Sequence, residues 1–212
     1  MDRNKFFERW SALHGNVEIT GIVRGWLTIS YLIAKPLSLL KISASVITLG
    51  GLGFAIALWL SSQHFWAIGF LALSLLCDGL DGSLAILTGS ESLRGAVLDS
   101  VVDRLAEVFW ALTFFAIGGH MEIVFLAWLM AGVQEYARAR MGGVGIREIG
   151  VVSIAERPVR ASLLAIALVA SALSLDFVNQ IAIIWLGMQT WSLLSVMRFG
   201  YNLTKKADEV KD

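Results

Sequence analysis

Apolar residues run through this chain in stretches of about 20, separated by short polar connections, a rhythm that predicts helices crossing a bilayer. Six stretches stand out, at 43–61, 65–87, 93–117, 122–141, 159–175 and 178–199. Ahead of them, 20–41 mixes Arg24, Lys35 and Lys41 with bulky apolar residues. That mixture suits a helix lying in the membrane interface better than a seventh crossing, which stays open as the alternative, with Pro36 expected to break or kink it. The fold class expected is therefore all-α integral membrane, with six transmembrane helices and an N-terminal interfacial amphipathic helix. One membrane domain spans 1–212: a cytoplasmic or interfacial segment 1–41, the bundle 43–199 and a cytoplasmic tail 200–212. No internal repeat or Pro/Ser linker interrupts it. The longest polar connection, GGVGIREIGVVSIAERP (142–158), reads equally as a flexible connector or a loop close to a ligand.

Composition agrees with a bundle in lipid. The chain is 57% hydrophobic and 16% charged, where a soluble domain carries about 25% charged residues. A net charge of zero gives no reason to expect a nucleic-acid partner. Cys77 is the single cysteine, which excludes an intramolecular disulfide. The start, MDRNKFFERW, has neither the apolar core nor the cleavage site of a signal peptide, so membrane targeting falls to the internal spans. With six spans and the N-terminus inside, the outer connections SSQH (61–64), GGHM (118–121) and LDF (175–177) contain no Lys or Arg. The 17 Lys and Arg fall on the inner side, which places both termini in the cytoplasm of a cell membrane.

Four carboxylates break the apolar pattern. Asp78 and Asp81 lie about 60° apart on one helix, and Asp99 and Asp103 about 40° apart on the next. Small residues continue each stripe: Gly82 and Ala85 follow the first pair, and Gly95 precedes the second. A carboxylate at the centre of a membrane helix costs about 2.5–3.5 kcal/mol on insertion scales, and like charges add repulsion. Divalent cations relieve both terms, and oxygen-only ligation suits Mg²⁺ or Mn²⁺ rather than zinc. Small neighbours leave room for phosphates beside the metal. The alternatives are carboxylates paired with Arg104, or the acidic pathway of a divalent-cation transporter. The transporter lacks support in the outer half of the chain, where only Glu122 and Asp176 sit at helix ends.

The spacing D-x-x-D-G-x-x-A-R-x8-G-x3-D-x3-D, read here at Asp78, Asp81, Gly82, Ala85, Gly95, Asp99 and Asp103, resembles the CDP-alcohol phosphatidyltransferase family. GAVLDSVVDR, YARAR (136–140) and IAERP (154–158) look like its phosphatidylinositol-phosphate synthase branch. The resemblance implies a membrane enzyme that moves a phosphatidyl group from a CDP-linked lipid to a polar alcohol and releases CMP. It implies two Mg²⁺ or Mn²⁺ ions held by Asp78, Asp81, Asp99 and Asp103, with Asp103 also the general base. It implies CDP-lipid contacts at Asp81, Gly82, Ala85 and Gly95. An acceptor carrying a phosphate, inositol phosphate by this resemblance, would meet Arg138, Arg157 and Arg198. Glycerol phosphate and other head groups remain open as acceptors.

Two departures qualify the resemblance. The motif's arginine is Ile86, and the family's T-P-N ahead of the first span reads Ser43-Ala44-Ser45. Loss of that arginine raises the alternative of a catalytically impaired member. Arg94, one position after the arginine of the family's usual Thr-Arg-Phe-Gly, is a candidate replacement cation for the CDP-lipid. Glu107 extends the Asp99–Asp103 stripe but is expected to pair with Arg104 or a polar group. His14 has no metal partner in view. GGLG (50–53) offers a small-residue face for helix packing or for a homodimer.

Overall fold

The computed structural model describes residues 1–146 and 153–209, with side chains to Lys205. Arg147 and the centre of the 142–158 connection lie outside the described residues. Among them are eight α-helices and no strand. They are α1 (Arg3–Leu13), α2 (Gly21–Leu39), α3 (Ala44–Leu60), α4 (Ala67–Thr88), α5 (Leu93–Ala116), α6 (Met121–Gly143), α7 (Arg157–Ala172) and α8 (Val178–Glu209). The six apolar stretches correspond to α3–α8, with α8 continuing about ten residues beyond 199.

Two helices are long and apolar enough to cross a membrane alone, Ala67–Thr88 and Val178–Lys205, and α2 with α3, bent by 114°, is a third as a pair. The other stretches fall short for physical reasons. α3 and α7 have 17 and 16 residues, while α5 and α6 are diluted by their charged residues, among them Asp99, Asp103, Glu135 and Arg138. Pro36 does not end α2, which runs on to Leu39. It stands in the last turn, so little helix remains to be broken, and the Leu40 N–H still reaches the Pro36 carbonyl at 3.1 Å.

The chain divides into two compact units, residues 1–57 with 69–106, and residues 58–68 with 107–212. In the first, Asp2 caps α1 by accepting from the Lys5 N–H at 2.9 Å. α1 ends in a Schellman turn: Gly15 takes φ +77° and the Asn16 N–H bonds the Ser11 carbonyl at 2.8 Å. Phe6 of α1 is buried with Leu27 and Tyr31 of α2 and Ile86 of α4. α2 approaches α4 so closely that a Cβ on Gly79 would collide with the Trp26 ring. α3 packs on α4 through Gly51, whose absent Cβ would lie 3.2 Å from Cys77 Cβ, and Ser74 Oγ donates to the Gly51 carbonyl at 2.9 Å. Part of the GGLG face is thus used within the chain.

The second unit packs α6 and α7 on α8. Its interior is polar as well as apolar. Gln189 donates to Gln134 at 2.9 Å, both with no exposed surface, and Arg160, 3% exposed, donates to Glu107 at 2.7 Å. Glu107 is therefore an ion-pair partner, with Arg160 as a partner that the sequence had not suggested for it.

Candidate functional site

The carboxylate site is built on α4 and α5 within the first unit. One oxygen each from Asp78, Asp99 and Asp103 lies within 4.8 Å of the others, close enough to ligate a common cation. The donor set is all oxygen and partly buried, so it fits a hard divalent ion. Asp81 is turned to different partners. Its Oδ2 accepts from Thr48 Oγ1 of α3 at 2.6 Å and its Oδ1 from the Gly82 N–H at 2.6 Å.

Beside these residues lies a cavity of about 360 Å³. Asp81, Gly82, Ala85 and Ile86 of α4 line one part of it, and Gly95, Ala96 and Asp99 of α5 another. A Cβ on Gly82 would meet no protein atom within 4 Å, so its missing side chain keeps cavity space open. Ser43, Ala44, Ser45 and Thr48 contribute from the start of α3. Ser43 there caps α3, its Oγ accepting from the Val46 N–H at 3.3 Å. The Ser-Ala-Ser departure therefore still provides a helix start at the cavity wall. Ser92 does the same for α5, accepting from the Gly95 N–H at 3.1 Å.

Four of the five residues expected to contact the CDP-lipid, Asp81, Gly82, Ala85 and Gly95, line this cavity. The fifth, Arg94, is exposed in the first turn of α5 and outside that lining. Ile86 is 4% exposed and belongs to the cluster that receives Phe6. The structure adds Thr48 and His14, which the sequence did not single out for this chemistry. Thr48 carried a signal, as the sole hydroxyl in the apolar run 46–60.

The three arginines expected at the acceptor are in the second unit. Arg138 Nη2 pairs with Glu156 at 2.6 Å, and its Nη1 is 3.5 Å from Glu135. Arg157 lies over the Trp110 ring at 5.3 Å and 4.0 Å from Glu107. Arg198 is exposed on α8. Glu156, just ahead of α7, also accepts from the Ser153 N–H and Oγ, each at 2.8 Å. Burial alone would raise its carboxyl, but the bonds from Arg138 and Ser153 prevail and hold its pKa down to about 2.

The profile of the CDP-alcohol phosphatidyltransferases matches residues 32–194. The chain belongs to the CDP-alcohol phosphatidyltransferase family. Membership makes it an enzyme of that class and, with its apolar helices, a membrane protein. An archaetidylinositol phosphate synthase of Aeropyrum pernix is 34% identical over 108 residues, which cover 50% of this chain and 55% of that protein. A phosphatidylinositol phosphate synthase of Mycolicibacterium smegmatis is 31% identical over 160 residues, covering 70% of each. The crystal structure of the Mycobacterium tuberculosis phosphatidylinositol phosphate synthase with CDP-DAG bound superposes with a TM-score of 0.66 at 21% identity, over 82% of this chain and 94% of that one. A second structure of that protein holds manganese and citrate. These likenesses show that the phosphatidyltransferase fold is shared.

Proposed function

We propose that this phosphatidyltransferase moves a phosphatidyl-type group from a CDP-linked lipid to a phosphorylated polyol, inositol phosphate before glycerol phosphate, and releases CMP. The observation that carries the reading is the carboxylate cluster beside a cavity lined by the motif's own small residues, Gly82, Ala85 and Gly95. Names of the relatives support inositol phosphate as acceptor.

Asp78, Asp99 and Asp103, with Asp81, would hold two Mg²⁺ or Mn²⁺ ions, which when bound neutralise the diphosphate and stabilise the departing CMP. Asp103 accepts the proton of the acceptor hydroxyl as its oxygen bonds to the lipid-bearing phosphorus and the bond to CMP breaks. Thr48 orients Asp81, and Gly82 and Gly95 allow the nucleotide close to the backbone. Arg138, Arg157 and Arg198 bind the acceptor's phosphate, for which guanidinium groups are suited by their paired donors. Arg138 already serves Glu156 and Glu135, so an acceptor phosphate competes with carboxylates for it. The six apolar stretches act as spans with both termini and the site on the cytoplasmic face of the membrane, a placement supported by the positive-inside distribution of Lys and Arg.

The test is CMP release from CDP-diacylglycerol by purified protein in detergent with Mg²⁺, comparing inositol phosphate, glycerol phosphate and free inositol. Release that depends on inositol phosphate is expected. Robust use of free inositol would overturn the acceptor, and absence of release with every alcohol would favour an impaired member.

A further inference from the structure

His14 and Ile86 belong to one construction in the first unit. α1 is fastened there in three ways. Phe6 is buried against Leu27, Tyr31 and Ile86, with Phe7 and Trp10 packed on the same cluster. Tyr31 Oη donates to the Met1 carbonyl at 3.2 Å, and Arg9 pairs with Glu91 at 2.6 Å. The Schellman turn then stops the helix where Leu13 and His14 form part of the cavity wall that also includes Asp81 and Asp99.

The His14 ring is set by two contacts. It stacks on Trp10 with centroids 3.9 Å apart and planes at 15°, and its Nδ1 lies 2.8 Å from the Trp10 carbonyl oxygen. A carbonyl only accepts, so the hydrogen resides on Nδ1, and Nε2 of the neutral ring is left as an acceptor.

We propose that His14 is a binding residue for the donor and contacts the nucleoside of the CDP-linked lipid, through Nε2 and the ring face turned from Trp10. The inference rests on the reading of the cavity as the CDP-lipid site. An acceptor nitrogen repels phosphate oxygens but suits a cytosine amino group or a ribose hydroxyl. Bases also stack on aromatic faces, and an imidazole already backed by an indole is a rigid platform for one. The diphosphate belongs to the carboxylates and their cations. Ile86 supplies the link. Where the motif carries a cation, this chain carries the aliphatic side chain that seats α1, exchanging a phosphate contact for a nucleoside contact.

The experiment measures binding of CDP-diacylglycerol, CMP and inorganic pyrophosphate to the full chain in detergent with Mg²⁺. His14→Phe keeps an aromatic ring to stack on Trp10 and removes Nε2 together with the Nδ1 bond to the Trp10 carbonyl, whereas His14→Ala removes the ring as well. His14→Phe should retain the wild-type Tm and weaken CDP-diacylglycerol and CMP about tenfold, the loss of one well-made hydrogen bond. Pyrophosphate binding should not change. His14→Ala should weaken the two nucleotides further. Wild-type CMP affinity in His14→Phe, or an equal loss for pyrophosphate, overturns the inference while leaving the proposed function standing. Failure of the wild-type protein to bind CDP-diacylglycerol removes both.

Discussion

Thr48 Oγ1 lies 2.6 Å from Asp81 Oδ2 and 3.1 Å from the Ala44 carbonyl, so it joins the backbone of α3 to a carboxylate on α4. Thr48→Val keeps the shape and deletes the hydroxyl. Turnover should fall about ten- to a hundredfold, corresponding to a hydrogen bond to a charged group worth about 1.5–3 kcal/mol, and an unchanged rate would show that Asp81 needs no such guide. Each of Asp78→Asn, Asp99→Asn and Asp103→Asn keeps volume and removes charge. CMP release should drop at least about a hundredfold in each, if charge held in place stabilises the transition state, and chelation of divalent metal should abolish it in the wild type. Near-normal rates in Asp99→Asn would remove the metal assignment. The aspartates were legible because ionisable groups in apolar helices stand out against their background. The Asp81–Thr48 bond was not, because a hydroxyl in an apolar run reads equally well as bonded to its own helix, which Thr48 also is.

Contacts between helices decide the next level. Gly79 permits the Trp26 ring of α2 to lie against α4, and Gly79→Ala should destabilise the protein by about 1–3 kcal/mol through overpacking. The double variant Gly79→Ala with Trp26→Leu should recover part of the lost Tm, and no recovery would place the fault elsewhere. Glu156 joins α7 to α6 through Arg138, with a carboxyl held at about 2 against an ordinary 4.5. Because the folded pKa is the lower one, this tie contributes fully above about pH 4.5 and is lost as pH falls toward 2. The Tm gap between wild type and Glu156→Gln should therefore be constant near neutrality and close progressively below that value. A gap independent of pH would deny the ion pair this role. The positions of α3–α7 and the start of α8 followed closely from the apolar stretches, while α8 runs past its stretch to Glu209 because its polar last turns continue a helix that apolarity alone does not mark. The seating of α1 did not, since Phe6, Phe7 and Trp10 in MDRNKFFERW reveal their cluster only once α2 and α4 are beside them.

For the whole molecule, the motif joined family and fold, but motif spacing does not identify an alcohol. Chemistry of the second unit bears on that question. Arg138→Ala, Arg157→Ala and Arg198→Ala should each raise the KM for inositol phosphate about tenfold or more, on the strength of a charge-assisted contact, with a smaller effect on CDP-lipid. Measuring both constants separates acceptor binding from general damage. If all three variants keep the wild-type KM for inositol phosphate, the acceptor site lies elsewhere. Arg160 shows why such residues elude a linear reading: three positions after Arg157 and equally basic, it is buried against Glu107 and the Ala155 carbonyl. Charge at the end of a span does not reveal whether it anchors, folds or binds.

Ile86 also serves two neighbours at once. Its side chain is enclosed with Phe6, Leu27 and Tyr31 and also borders the cavity that Asp81 and Asp99 line, so an arginine there would have to leave the aromatic cluster to bring its guanidinium to those carboxylates. Placing the motif's cation at 86 and keeping α1 seated thus make opposing demands on one position, and an arginine substituted there is expected to loosen α1 and His14 with it.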